Sequence, residues 1–326
     1  MLVIFNMNIK KKINRFLGIF FLFSIFISIS SAPAFAVKPS FSPTSTHPPK
    51  GVVVGAKLKE YHQPSKRHCN IDVPSQYTSI QAGIDAAVNG DTVCVGEGIY
   101  NEDVLINKSV RLSGKGANKT IINGQGSTWP GAVYITAKNV VFEGFLINGV
   151  GTNSTVQLDV KDSPYDSTLQ YNWMKAGNGG MTLQLDGFQN TLVRNNFLEG
   201  NNSPYVARES GGSSGQVDFL NNTFMGTVNP NDRSDTGITL DAGLPDGLIQ
   251  RNVFNTTGTQ ILLIAPNGTS FINENNFNSS VIRKVGNGWP TTVNAENNWW
   301  GDLDPSDNIQ GDVDYIPFAL KPFPEN

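Results

Sequence analysis

Six times between residues 172 and 299 the chain sets an asparagine two residues ahead of a large apolar side chain. The copies are Asn172–Met174, Asn195–Phe197, Asn222–Phe224, Asn252–Phe254, Asn275–Phe277 and Asn297–Trp299. Successive asparagines lie 23, 27, 30, 23 and 22 residues apart. A unit of this length cannot bury an apolar face alone; repeated without long gaps, it describes a stacked array. Within each unit the apolar residues come in short alternating bursts, such as Val156-Gln-Leu158, Leu183-Gln-Leu185 and Ile238-Thr-Leu240, separated by Gly, Asn and Ser. That period belongs to strands. Coils of three short strands, stacked at the roughly 4.8 Å spacing of paired strands, make a parallel β-helix. The repeated Asn is expected at a tight left-handed turn, its amide bonded to the Asn of the next coil. The aromatic two residues on is expected to point inward, so that Phe197, Phe224, Phe254 and Phe277 form one stack and Leu158, Leu185 and Leu240 face it.

The segments ahead of the repeats have a different character. Residues 1–36 read as a secretory signal: Lys10, Lys11, Lys12 and Arg15, then an apolar run from Phe16 to Ser30, then Ala34-Phe35-Ala36. An uncleaved anchor is the alternative reading of the same run. Residues 37–68 read as a disordered linker rich in Pro, Ser and Thr. The β-helix domain is then 69–326, with an N-terminal cap near 71–90 and a C-terminal cap near 297–320. The chain carries a net charge of −3, and its signal carries four basic and no acidic residues, so the remainder stands at −7. From Cys69 onward 14 basic and 26 acidic residues give −12. A body this acidic argues against nucleic acid and suits cations or neutral and basic glycans. His47, His62 and His68 all lie ahead of the repeats, which removes histidine acid–base chemistry from the body. Cys69 and Cys94 are the two cysteines, and an even count in an exported chain predicts a disulfide. A secreted or cell-surface monomer, without a membrane span once the signal is cleaved, is expected.

Two stretches carry a family resemblance. TSIQAGIDAAVNGDTVCVGEGIYNEDVLINKSVRLSGKGANKTIING, residues 78–124, opens with Thr78-Ser-Ile-Gln81 as a capping box and sets Ile80, Ile84, Ala87 and Val88 on one helical face. It resembles the start of pectin-lyase-like right-handed parallel β-helix proteins, including NosD-like surface proteins. The resemblance implies an amphipathic helix plugging the first coil. Asn297-Asn-Trp-Trp-Gly301 and Gly311-Asp-Val-Asp-Tyr-Ile-Pro317 are similar to the closing motif of secreted β-helix proteins of this type, which implies that the tryptophans cover the last coil.

Such folds host lyases, hydrolases, esterases, epimerases and proteins with no known activity, so function must come from a site. Gly98-Ile-Tyr100-Asn-Glu102 matches the first motif of pectin methylesterases, but their later Gln, Asp and Arg motifs are not found. Polygalacturonase and mannuronan epimerase signatures need histidines that the body lacks.

One constellation comes from register. Aligning Val156-Gln-Leu-Asp159, Leu183-Gln-Leu-Asp186, Tyr205-Val-Ala-Arg208 and Ile238-Thr-Leu-Asp241 turns the first and third residues inward. The outward fourth column then reads Asp159, Asp186, Arg208, Asp241, beside a second column of Gln157, Gln184, Val206 and Thr239. Stacked carboxylates repel unless a hard cation, an arginine or a polar ligand lies among them. Asp159, Asp186 and Asp241 are therefore candidate calcium ligands, with Arg208, Gln157 and Gln184 as candidate ligand-binding residues. Calcium-dependent pectate lyases resemble this arrangement in kind. Three exposed aspartates ending ordinary strands would read the same way. The leading expectation is a surface protein that binds glycans or acts as a scaffold, and the alternative is a calcium-assisted polysaccharide lyase.

Overall fold

The computed structural model describes residues 68–126, 130–159, 166–186, 190–203, 205–210, 216–228, 236–240, 247–263, 271–278, 285–287 and 292–324. The expected signal, nearly all of the expected linker and Asp241 lie outside the described residues. The described strands form three parallel sheets of eleven (sheet 1), nine (sheet 2) and eight strands (sheet 3). Each coil runs from sheet 1 to sheet 3 to sheet 2 and pairs in register with the next. The chain is a parallel β-helix, as the repeat predicts. No described helix is long and apolar enough to cross a membrane.

The corner between sheets 1 and 3 explains the asparagine repeat and corrects its register. Six buried asparagines form a ladder here: Asn172, Asn196, Asn222, Asn252, Asn275 and Asn298. Each Oδ1 from Asn196 onward accepts from the backbone N–H and the Nδ2 of the asparagine one coil earlier. For Asn222 these are Asn196 N at 3.0 Å and Asn196 Nδ2 at 3.2 Å. Each Nδ2 also donates to a strand carbonyl, as from Asn222 to Val193 at 2.8 Å. Left-handed backbone belongs to the residue before: Tyr171, Asn195, Asn221, Arg251, Glu274 and Asn297 have φ between 55° and 58°, and Gly144 has 81°. The ladder therefore runs through Asn196 and Asn298, while Asn195 and Asn297 are the left-handed residues. Consecutive asparagines at 195–196 and 297–298 hid this one-residue slip.

The slip moves two aromatics. Phe224, Phe254, Phe277 and Trp300 stack inside, with centroids 4.9, 5.1 and 5.0 Å apart. Leu198 takes the inward position expected for Phe197, and Phe197 meets Trp173 edge-on at 5.3 Å on the outer face. Trp300, not Trp299, closes the core, with Tyr315 against it at 6.5 Å. Leu158 and Leu185 pair, and the backbone register then runs from Leu185 through Glu209 to Leu240, so the three leucines are not successive partners.

The N-terminal end is closed by helix α1, Ile80–Ala86, with Ile80, Ile84 and Ala87 buried. Its N-cap is Ser79, which accepts from Ala82 N, rather than Thr78. Val88 lies beyond the helix and is 65% exposed, contrary to expectation. Gln81 spends its amide on the first strand of sheet 2, accepting from Leu105 N at 2.7 Å and donating to Leu105 O at 3.3 Å. It stands in for a missing rung on an otherwise open edge. Glu102 accepts from Ile80 N and Gln81 N at 2.9 and 3.0 Å, which suits a carboxylate at a helix start. Lys108 Nζ donates to three carbonyls at the other end, those of Ile84, Asp85 and Ala87. The Gly98–Glu102 motif thus has a structural role in this chain. Cys69 and Cys94 form the predicted disulfide, with Cα atoms 5.7 Å apart.

Candidate functional site

The outer face of sheet 2 gathers the polar side chains singled out above. Val156, Leu158, Leu183 and Leu185 point into the core, so Gln157, Asp159, Gln184 and Asp186 take the opposite face. Their strands, Ser154–Asp159 and Leu183–Asp186, pair Gln157 with Gln184 and Asp159 with Asp186. The next strand pairs Arg208 with Gln184 and then with Thr239. Arg208 therefore stands in the glutamine column, two residues from its expected place beside Asp186, which Ser210 occupies. Period-two alternation keeps Arg208 outward under either register and cannot detect a shift of two.

A hydrogen-bonded network ties these groups together. Asp186 Oδ2 accepts from Gln157 Nε2 at 2.8 Å and Gln184 Nε2 at 2.7 Å. The buried Ser154 hydroxyl donates to Gln184 Oε1 at 2.7 Å, which fixes that amide's orientation. Tyr134 pairs with Gln157 from the preceding coil, and its hydroxyl donates to Asp159 Oδ2 at 2.9 Å. Its phenol is pushed up to about 12, first by burial, then by the bond to Asp159 and the charges of Asp159 and Asp186. Arg208 lies over the Tyr205 ring, 5.0 Å from its centroid. Gln157 is fully buried, yet its Oε1 has no hydrogen-bond partner. Its amide cannot simply be turned over, because Nε2 is already committed to a carboxylate.

Tyr134, Ser154 and Tyr205 were not singled out from the sequence. Tyr134 carried a signal: Val133-Tyr-Ile-Thr136 extends the Val156–Asp159 alignment by one coil. Among the described residues, the tight cluster of metal-type ligands is Cys69, Asp72 and Cys94, whose two sulfurs are joined to each other. No third described carboxylate joins Asp159 and Asp186 within ligand distance.

No family profile matches the chain. The fold is similar to that of carrot pectin methylesterase, with a TM-score of 0.51 and 11% identity over 79% of this chain and 84% of that one. Rice weevil pectin methylesterase gives 0.50 and 11% over 78% and 92%. The chain has the pectin-lyase-like right-handed parallel β-helix fold. At that identity the likeness concerns the fold alone. A cell surface glycoprotein of Methanothermus fervidus is 38% identical over 82 residues, which span 24% of this chain and 13% of that protein.

Proposed function

We propose that the protein acts at the cell surface and binds a polysaccharide on the outer face of sheet 2. The observation that carries this reading is the joined set of planar polar groups on successive coils: the Tyr134 phenol, the Gln157 and Gln184 amides, and the Asp159 and Asp186 carboxylates. Such groups suit sugar hydroxyls, which both donate and accept. A surface location is supported by the stretch shared with a cell surface glycoprotein and by the disulfide, since such bonds persist in oxidising compartments. The expected signal segment and the NosD-like resemblance agree with it. A glycan array probed with the chain tests the reading, and Asp186→Ala should abolish the signal of any bound glycan. Binding left intact in that variant would move the site elsewhere.

A polysaccharide-active enzyme is the second reading, favoured by two carboxylates and a guanidinium on one face of a fold shared with pectin methylesterases. In its calcium-assisted lyase form, Asp159, Asp186 and Gln157 Oε1 offer oxygen ligands of the type calcium takes, and Asp241 remains a candidate fourth. A melting temperature that rises with millimolar calcium in the parent and not in Asp186→Ala would support the metal, because a ligand specific to the native state stabilises it. Unsaturated products from acidic polysaccharides, or methanol from methyl-esterified ones, would support turnover.

A further inference from the structure

Resting on the reading of this face as a glycan surface, we infer that its ligand is an amine-bearing, cationic sugar rather than a uronic acid polymer. Among the described residues of this face, the polar atoms seen without a partner are acceptors. Gln157 Oε1 is buried and unbonded. Asp159 takes the Tyr134 hydroxyl on Oδ2, and among the described residues its Oδ1 has no partner. Of the donors on this face, the Tyr134 hydroxyl goes to Asp159, and the Gln157 and Gln184 amide nitrogens each give a bond to Asp186. A buried acceptor without a donor is costly, and a ligand that supplies donors relieves it.

Charge gives the same answer independently. Asp159 and Asp186 are register neighbours, so their strands are one rung, roughly 4.8 Å, apart. Arg208 follows in the glutamine column, one coil beyond Asp186, with its guanidinium over the Tyr205 ring. A uronate brought here adds a third carboxylate to two. An ammonium brings three donors and a positive charge to an amide oxygen and a carboxylate oxygen that both seek them. The chain from Cys69 onward, at −12, attracts the same sign of ligand over longer range.

The test is titration calorimetry of the full chain with three oligosaccharides of equal length: a β-1,4-glucosamine oligomer, its N-acetylated counterpart and an oligogalacturonate. The expected result is tightest binding of the amine oligomer, at least about tenfold over the N-acetylated one, and no binding of the uronate. Asp159→Asn and Gln157→Leu should each remove most of that preference while circular dichroism stays as in the parent. Equal binding of the amine and N-acetylated oligomers, both weakened by Asp186→Ala, would overturn the cationic assignment and leave the glycan surface standing. Failure of all three to bind would overturn both. Amine binding unchanged by Asp159→Asn and Gln157→Leu would mean general attraction to an acidic body and overturn the site. A lysine oligomer bound as tightly would overturn its assignment to a sugar.

Discussion

Replacing Asn222 by alanine isolates one rung of the buried amide ladder. The side chain makes four hydrogen bonds: it accepts from Asn196 N and Asn196 Nδ2, and donates to Val193 O and Asn252 Oδ1. Two partner atoms keep a second bond, Asn196 Nδ2 to Leu169 O and Asn252 Oδ1 from Asn222 N. The buried N–H of Asn196 loses its acceptor. Leaving such a group unpaired costs about 1–3 kcal/mol, and each ordinary bond about 0.5–1.5 kcal/mol net. Allowing for overlap among these terms, Asn222→Ala should destabilise by about 3–5 kcal/mol, a large fraction of a typical domain's stability. Asn221 is the control. It is the same residue type, one position earlier, with φ 56° and a half-buried side chain. Glycine adopts that backbone freely, so Asn221→Gly should change stability by less than about 1 kcal/mol. Urea unfolding followed by circular dichroism measures both, and the m-value reports whether the solenoid still unfolds as one unit. Asn222→Asp should rescue nothing, because it keeps the acceptor but buries a charge and loses the donor. If Asn222→Ala costs no more than Asn221→Gly, the ladder adds nothing to strand stacking and the account given for the corner is wrong.

Phe254→Ala opens the middle of the aromatic stack, where ring contacts of 4.9 and 5.1 Å lie on either side, and should cost about 3–5 kcal/mol in the same assay. Phe197→Ala, on the outer face, should cost clearly less. Removing the Cys69–Cys94 bridge by replacing both residues with serine frees a separation of 25 residues and should lower stability by about 3 kcal/mol in the chain-entropy account; two reactive thiols in protein from an oxidising compartment would contradict the bond. Tyr134 holds its proton to about 12 in the folded chain, above its ordinary value near 10, so its contribution is complete below pH 10 and is lost as pH rises through 12. Ultraviolet titration should show a late phenol that disappears in Tyr134→Phe and moves to lower pH in Asp159→Asn.

The fold was legible because its signal is repeated. The alternation in Val156–Asp159 and Leu183–Asp186 puts the same parity on every coil, so one misread copy does not change the architecture. Register within a copy is less redundant. At 195–196 and 297–298 two adjacent asparagines offer the same letter for two different jobs, left-handed turn and buried ladder, and the wrong choice puts Phe197 and Trp299 into the core, where the chain places Leu198 and Trp300. What separates the jobs is side-chain chemistry. Arg251 and Glu274 occupy the left-handed position in neighbouring coils, with an ion pair between them at 2.8 Å, whereas the ladder position from Asn172 onward needs an amide. Phe145, one coil before Asn172, ends the ladder by offering only its backbone N–H to Asn172 Oδ1. Comparing the variable letter with the constant one would have found the slip.

The candidate site was legible as a face but not as a network. Parity alone brings Gln157, Asp159, Gln184 and Asp186 outward, and it does the same for Arg208 under the wrong register. It says nothing about which amide serves which carboxylate. That choice is made by Ser154, which donates to Gln184 Oε1 and so turns its nitrogen to Asp186, where Gln157 Nε2 also arrives. With both nitrogens on one carboxylate oxygen, Gln157 Oε1 is left without a donor. The vacant acceptor is therefore a consequence of a serine two residues before Val156 begins the alignable pattern, in a column no motif marks. The same arrangement bears on turnover. An acyl-transfer site needs N–H groups aimed at a developing oxyanion, and here each amide nitrogen already points to Asp186. Binding would use the face as it stands, whereas ester hydrolysis would first have to draw an amide away from that carboxylate. Ser154→Ala is the discriminating change: by releasing Gln184 it should weaken ligand binding if the network is the site, and should leave binding untouched if the face is only a solvated surface.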